Sequence, residues 1–212
     1  MLALLLAPEQ VLANYAQALD EIKSPPAYTF EYTFAHHGRH PESTDHRIFR
    51  QGQRERDEIV GFNGEKLTRP TIRVFQGHRD PYDVVALSPR PEAYTFAYLG
   101  EFKQGKNLVY AFNLFARGAP KYEVTHLVID GKTFLPLQLD YRATVGTVTG
   151  TGTVMFAKTD KYWMPQSATA RADVNGDLQT ERIDWSKYQF YPNFPPATFA
   201  EPRAPQLTTP AS

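Results

Sequence analysis

Polar and apolar residues alternate along most of this chain, and the alternation is first clear in Ala27–Phe34 (AYTFEYTF). Tyr28, Phe30, Tyr32 and Phe34 occupy one parity, and Thr29, Glu31 and Thr33 the other. Successive residues of a strand point to opposite faces, so this segment reads as a strand with one aromatic and one polar face. The segment before it has a different period. In Pro8–Lys23 (PEQVLANYAQALDEIK), Val11, Leu12, Tyr15, Leu19 and Ile22 recur mostly at spacings of three and four, which predicts a helix with one apolar stripe. Pro8 suits its first turn, and Ser24-Pro25-Pro26 ends it.

Strand patterning accounts for nearly everything that follows. Predicted strands run over Tyr28–His36, Arg47–Gln51, Arg54–Phe62, Thr71–Gln76, Ala93–Phe102, Asn107–Arg117, Tyr122–Ile129, Thr133–Ala143, Thr147–Ala157, Ser167–Val174 and Leu178–Trp185. Asn63-Gly64, Asp130-Gly131 and Asn175-Gly176 mark tight turns between them. Parallel pairing needs long crossovers, and the short connections leave no room for them. The expected fold is therefore mostly β (α+β), with about ten antiparallel strands curling into an unclosed barrel around a packing helix and a short lid. The lid is read at Asp80–Pro91 (DPYDVVALSPRP), where three prolines break the strand rhythm around the short apolar piece Val84–Leu87; an ordinary connecting loop is the other reading.

Bulk collects on one side of the expected sheet. Tyr94, Phe96 and Tyr98 share a face, as do Leu108, Tyr110, Phe112 and Leu114 against Val109, Ala111, Asn113 and Phe115. Leu135, Leu137, Leu139 and Tyr141 share another, opposite Pro136, Gln138, Asp140 and Arg142. Two readings are open for this face: a packed core, or a cavity that a guest fills. A single helix covers only a narrow stripe of so wide a surface. Tyrosine hydroxyls need partners when buried, which suits a face that is sometimes wet.

Charge and composition remove several functions. The 212 residues carry 23 Lys+Arg and 23 Asp+Glu, so no positive excess exists to bind nucleic acid. The basic run Arg47–Arg56 is interleaved with acids and reads as a solvated strand pair. There is no cysteine, hence no disulfide, thiolate metal site, cysteine nucleophile or lipidated cysteine on this chain. The opening MLALLLAP reads either as the remnant of a signal peptide, spanning 1–7, or as the lead-in to the first helix. The segment 200–212, rich in Pro, Thr and Ala, reads as a disordered tail.

Four of the 6 histidines, His36, His37, His40 and His46, fall in one stretch, but at a strand end with loop composition and not on a helix, so no metal site is assigned. No nucleophile elbow, phosphate-binding glycine loop or calcium loop occurs, and the pair Asp57-Glu58 lies within a strand with its carboxylates on opposite faces. These residues specify no catalytic constellation and no cofactor.

The order of segments carries more. An aromatic strand follows ALDEIKSPP; then come YLGEFKQGKNLVYAFNLFAR, the hairpin VTHLVIDGKTFLPLQLDYR, and a closing YQFYPNFPPATF. In this order and spacing, over most of Ala18–Phe199, the chain resembles the LolA-like superfamily of periplasmic lipoprotein carriers and RseB-like sensor domains. The resemblance implies one half-barrel domain over 1–199, non-catalytic, periplasmic or otherwise exported, and monomeric. Its concave face would receive an acyl chain from a lipid or an acylated protein. An inner-membrane donor and an outer-membrane acceptor would be the partners. The ligand-binding residues would be Tyr28, Phe30, Tyr32, Phe34, Tyr94, Phe96, Tyr98, Leu108, Tyr110, Phe112, Leu114, Leu137 and Leu139. The concave arginine used by the carriers is not identified in this sequence. A sensor or protein-interaction module of the same fold, carrying no cargo, is the alternative.

Overall fold

The computed structural model describes residues 6–78 and 80–201. The lead-in read at 1–7 and the tail read at 200–212 lie outside these residues, apart from 6, 7, 200 and 201. The first element is the helix α1, Pro8–Glu21, with Pro8 in its first turn and an extended residue, Ile22, ending it. Val11, Tyr15 and Leu19 are its buried side chains, four residues apart, so the helix lays a narrow stripe on the sheet.

Eleven strands follow: β1 (Ala27–His37), β2 (Glu42–Gln51), β3 (Arg54–Phe62), β4 (Glu65–Phe75), β5 (Tyr94–Gln104), β6 (Asn107–Ala116), β7 (Tyr122–Asp130), β8 (Pro136–Val145), β9 (Val148–Thr159), β10 (Tyr162–Val174) and β11 (Asp177–Tyr191). They form one antiparallel sheet in the order β4-β3-β2-β1-β11-β10-β9-β8-β7-β6-β5. Both β4 and β5 are edges, so the sheet is an open half-barrel. Strand β4 begins six residues earlier than its alternation suggests, because Pro70 and the charges around it mask the pattern on an edge strand.

This strand order has one topological consequence. The chain leaves the sheet at one edge, β4, and re-enters at the opposite edge, β5, so the connector between them must cross the whole concave side. It contains a single helical turn, α2 (Val84–Leu87), whose N-cap Asp83 accepts hydrogen bonds from the N–H groups of Val85 and Ala86. Along its path, Asp80 bonds Arg50 of β2, the Tyr82 ring packs edge-on to Trp185 of β11 at 4.8 Å, and α2 lies on β10. Beyond α2, the Pro89 carbonyl accepts from the Tyr15 hydroxyl of α1 at 3.0 Å. The connector is thus a strap with anchors on three strands and on α1.

The hairpin joining β7 to β8 departs from the two-residue turn its sequence suggests. Asp130 Oδ1 accepts from the N–H groups of Lys132 and Thr133 and from the Thr133 hydroxyl, and organises a longer loop in which Phe134 takes the left-handed conformation. Glycine is required at 131 for approach: a Cβ there would sit 2.7 Å from the Leu108 carbonyl, which accepts the Gly131 N–H.

Candidate functional site

The concave face has two halves, distinguished by what covers them. Over β5 to β9 the face is closed by α1. Tyr15 packs edge-on to Phe96 at 6.3 Å, and Phe96 edge-on to Phe112 at 6.0 Å. Phe112, Leu114, Leu127, Ile129 and Leu139 are all 3% exposed or less. Burial holds the Tyr15 hydroxyl well above the ordinary tyrosine pKa. This half is packed protein.

Over β1, β2, β3 and β11 the face is not filled. A cavity of about 390 Å³ lies between the sheet and the beginning of the strap. Its apolar walls are Phe30, Tyr32 and Phe34 of β1, Ile48 of β2, Ile183 and Trp185 of β11, Phe75 at the end of β4, and Pro81 and Tyr82 of the strap. Phe30 is buried, whereas Tyr32 and Phe34 are half-buried, as expected of side chains bordering an open volume. Besides its two tyrosines, the same lining includes six acidic or basic side chains, His46, Arg50, Glu55, Asp57, His78 and Asp80. It includes no serine, threonine, cysteine or lysine among the described residues.

Arg50 organises the charged part. It is 8% exposed, and its Nε donates to Glu55 Oε2 at 2.8 Å while its terminal nitrogens reach Glu55, Asp80 and the Tyr28 hydroxyl. The guanidinium also lies over the Phe30 ring, 5.4 Å from its centre. Burial opposes its charge, but the facing Tyr28, Asp80 and Glu55 outweigh that and keep its pKa above the usual arginine value. A planar fork with five donors can serve two carboxylates and a hydroxyl at once. His46 Nδ1 is 2.7 Å from Asp57 Oδ1, its Nε2 is 2.9 Å from Thr44 Oγ1, and its ring stacks on Tyr32 at 4.3 Å. His78 Nε2 lies 3.6 Å from Glu55.

These groups are paired with one another, except that His46 Nε2 meets the Thr44 hydroxyl, which is not part of the cavity lining. The arrangement can hold an apolar chain along the aromatic wall and a polar group near the ion cluster. Among the described residues no set of three or more metal-ligating side chains is placed to hold an ion.

Buried tyrosines give the site a pH signature. Burial pushes the Tyr28 and Tyr82 hydroxyls up to about 12, with Arg50 partly opposing the shift at Tyr28. Between the ordinary value near 10 and about 12, the unfolded chain releases these protons while the folded one keeps them, so stability falls as pH rises. At pH 11 the buried Tyr28 alone should cost about 1 kcal/mol relative to pH 9. The urea midpoint should therefore fall across this window; a midpoint unchanged from pH 9 to pH 11 would contradict these placements.

The thirteen residues picked out by alternation separate accordingly. Phe30, Tyr32 and Phe34 line the cavity, and Tyr28 sits behind Phe30, its ring stacked on it at 5.7 Å. Tyr94, Phe96, Tyr110, Phe112, Leu114 and Leu139 belong to the packed half, where the Tyr94 hydroxyl accepts the Val124 N–H. Tyr98 and Leu108 lie toward the β5 edge and are 36% and 37% exposed.

Leu137 is on the other side of the sheet. Ile129 pairs with Pro136 but Val128 with Gln138, so one extra residue is accommodated in β8. This bulge turns Pro136 and Leu139 inward and puts Leu137 on the convex face, beside Val109, Ala111 and Val128. The strict alternation read over Leu135–Tyr141 is corrected there.

A second correction concerns Arg47–Arg56. Arg50, Glu55 and Asp57 are buried on the concave face, while Glu31, Arg47 and Glu58 form ion pairs on the solvent side. The signal was present, since His46, Ile48 and Arg50 share one parity and Arg50 thus falls in phase with a core residue. Asp57 and Glu58 do face opposite sides.

No protein-family profile and no curated protein matches the sequence. Solved structures do. A protein domain from Vibrio parahaemolyticus assigned to outer membrane lipoprotein sorting matches with a TM-score of 0.51 at 14% identity, covering 90% of this chain and 96% of that one. A LolA superfamily protein from Nitrosomonas europaea matches at 12% identity with a TM-score of 0.48, over 93% of this chain and 99% of that chain. A DUF1329 family protein from Desulfovibrio piger matches at 13% identity with a TM-score of 0.44, over 90% of this chain and 97% of that chain. The Vibrio match carries the fold alone: an open antiparallel half-barrel packed on a helix.

Proposed function

We propose that this protein binds an acyl chain, from a lipid or an acylated protein, without catalysis, in the cavity walled by Phe30, Tyr32, Phe34, Ile48, Ile183 and Trp185. The observation that carries this reading is the unfilled volume of about 390 Å³ on an otherwise packed concave face, within the range of roughly 300–1,000 Å³ typical of ligand sites. Each buried methylene contributes about 0.8 kcal/mol, so one long chain supplies on the order of 10 kcal/mol before ordering costs. That suffices for capture without a covalent bond. The ion cluster at Arg50 suits the polar end of an amphiphile, and the strap over the cavity suits a lid.

Release follows from competition. The strap is held by the Arg50–Asp80 pair and by Tyr82 on Trp185. A guest that displaces Tyr82 is favoured while the strap is open and expelled as it re-seats, which is a population shift between two states. As a carrier the protein would act in the periplasm as one half-barrel domain over 1–199. It would pass its cargo from an inner-membrane donor to an outer-membrane acceptor. Among the described residues no helix is long and apolar enough to cross a membrane.

Native mass spectrometry of the purified chain, with organic extraction of bound material, tests the reading. Lipid or fatty acid is expected at near one equivalent. Ile183→Trp, which places an indole in the cavity, should remove it while the protein stays folded. Lipid retained by the folded variant would displace the site from this cavity. A wild-type chain that is clean of lipid, and takes up none from vesicles, would favour the interaction-module reading.

A further inference from the structure

Five of the nine large hydrophobic side chains most exposed among the described residues, Tyr98, Leu99, Phe102, Leu108 and Phe115, lie on β5 and β6. They collect at one edge of the sheet, on the side away from the proposed cavity. Leu99 and Phe102, 48% and 52% exposed, border an apolar depression of about 350 Å³ on the convex face, floored by Val109, Ala111 and Val128. The two edges differ in how they discourage pairing. Strand β4 carries Glu65, Lys66, Arg69, Pro70 and Arg73, the charges and proline that protect an edge. Strand β5 (YTFAYLGEFKQ) has no proline and only two charges, Glu101 and Lys103, two residues apart on one face. Among the described residues β6 is its one ladder partner.

We propose that the β5 edge pairs antiparallel with the β5 edge of a second copy of this chain, about a two-fold axis at Phe102. Directly opposed residues in an antiparallel pair share a face. In this register Glu101 faces the partner's Lys103 and Lys103 faces the partner's Glu101, while Phe102 meets the partner's Phe102 on the convex side. Gly100 stands opposite the partner's Gln104 and leaves room for it. Neighbouring registers lose this match. Centring on Glu101 or Lys103 opposes like charges, and centring on Gly100 sets Glu101 against the partner's Leu99 and Lys103 against the partner's Ala97. The bulge between Tyr98 and Gly100 confines regular pairing to the C-terminal half of β5, where the charges are. The axis makes the contact isologous and closed, and it covers Leu99 and Phe102 on both copies.

Sedimentation of the full chain over a range of concentrations tests this, with mixing of two charge variants as the decisive arm. Wild type should dimerise reversibly. Glu101→Lys places lysine against lysine at both symmetric positions and Lys103→Glu places glutamate against glutamate, and each should raise the dimer dissociation constant about tenfold or more. Mixed together, the two variants are complementary and should form a heterodimer as tight as wild type. Both side chains are exposed, so urea midpoints should be unchanged and lipid occupancy unaffected. A wild type that stays at its monomer mass of 24.1 kDa throughout would overturn the proposal. So would a dimer indifferent to either reversal, or a mixture of variants that fails to associate.

Discussion

Arg50→Met is expected to lower the unfolding free energy by about 3–5 kcal/mol, one of the two largest effects of a single substitution in this protein. Methionine replaces the volume of the side chain but not its charge. Glu55, 6% exposed, then keeps a carboxylate on the concave face with only His78 at 3.6 Å to offset it, and Asp80 loses its tie to the sheet. The cost arises from stranding two acids rather than from the value of the ion pair as such. For that reason Arg50→Met combined with Glu55→Gln and Asp80→Asn should recover most of the loss, since removing a buried ion group entirely is often near neutral. Asp80→Asn alone should loosen the strap, seen as faster proteolysis within 76–83 at little cost in global stability. Urea unfolding of the four proteins measures this. A single Arg50→Met variant within about 1 kcal/mol of wild type, the scale of an exposed pair, would mean that the cluster is solvated.

Phe112→Ala should be as damaging and for a different reason. Its ring is fully buried against Phe96 and Tyr98, under a face that α1 closes, so truncation leaves a void that the surrounding strands cannot collapse into. The expected loss is about 3–5 kcal/mol. Yet lipid capture by the folded fraction should persist, because Phe112 is not part of the cavity wall. Phe34→Ala is the converse. Its half-buried ring borders the open volume, so the stability loss should be small, about 1 kcal/mol, while the lipid recovered by extraction falls sharply. If Phe112→Ala loses cargo while remaining folded, or Phe34→Ala keeps it, the division of the concave face is wrong. Calorimetry beside native mass spectrometry separates the two quantities.

The sheet itself was legible in the sequence. Alternation in Tyr28–Phe34 and Leu108–Leu114 fixed which residues face inward, because side-chain parity is a local property of an extended backbone. Asn63-Gly64 and Asn175-Gly176 adopt the left-handed backbone their types suggest, at φ 50 and 80 and at φ 57 and 82. Alternation misled where the backbone is irregular, as at Leu137, since a bulge moves one residue to the other face without any change in composition.

Arg50 shows a different limit. Its phase with Ile48 was visible, but its burial depends on Glu55 across a hairpin and on Asp80 thirty residues on, in a segment that reaches it only because the strap crosses the sheet. The amino-acid sequence by itself determined a single aromatic face, its polar reverse and the helix available to cover it. Only the tertiary structure decided that α1 fills the half over β5 to β9 and leaves Phe30, Tyr32 and Phe34 beside an empty volume. Face identity follows from neighbours one and two residues away, whereas cover depends on where elements far apart in the chain come to rest against each other.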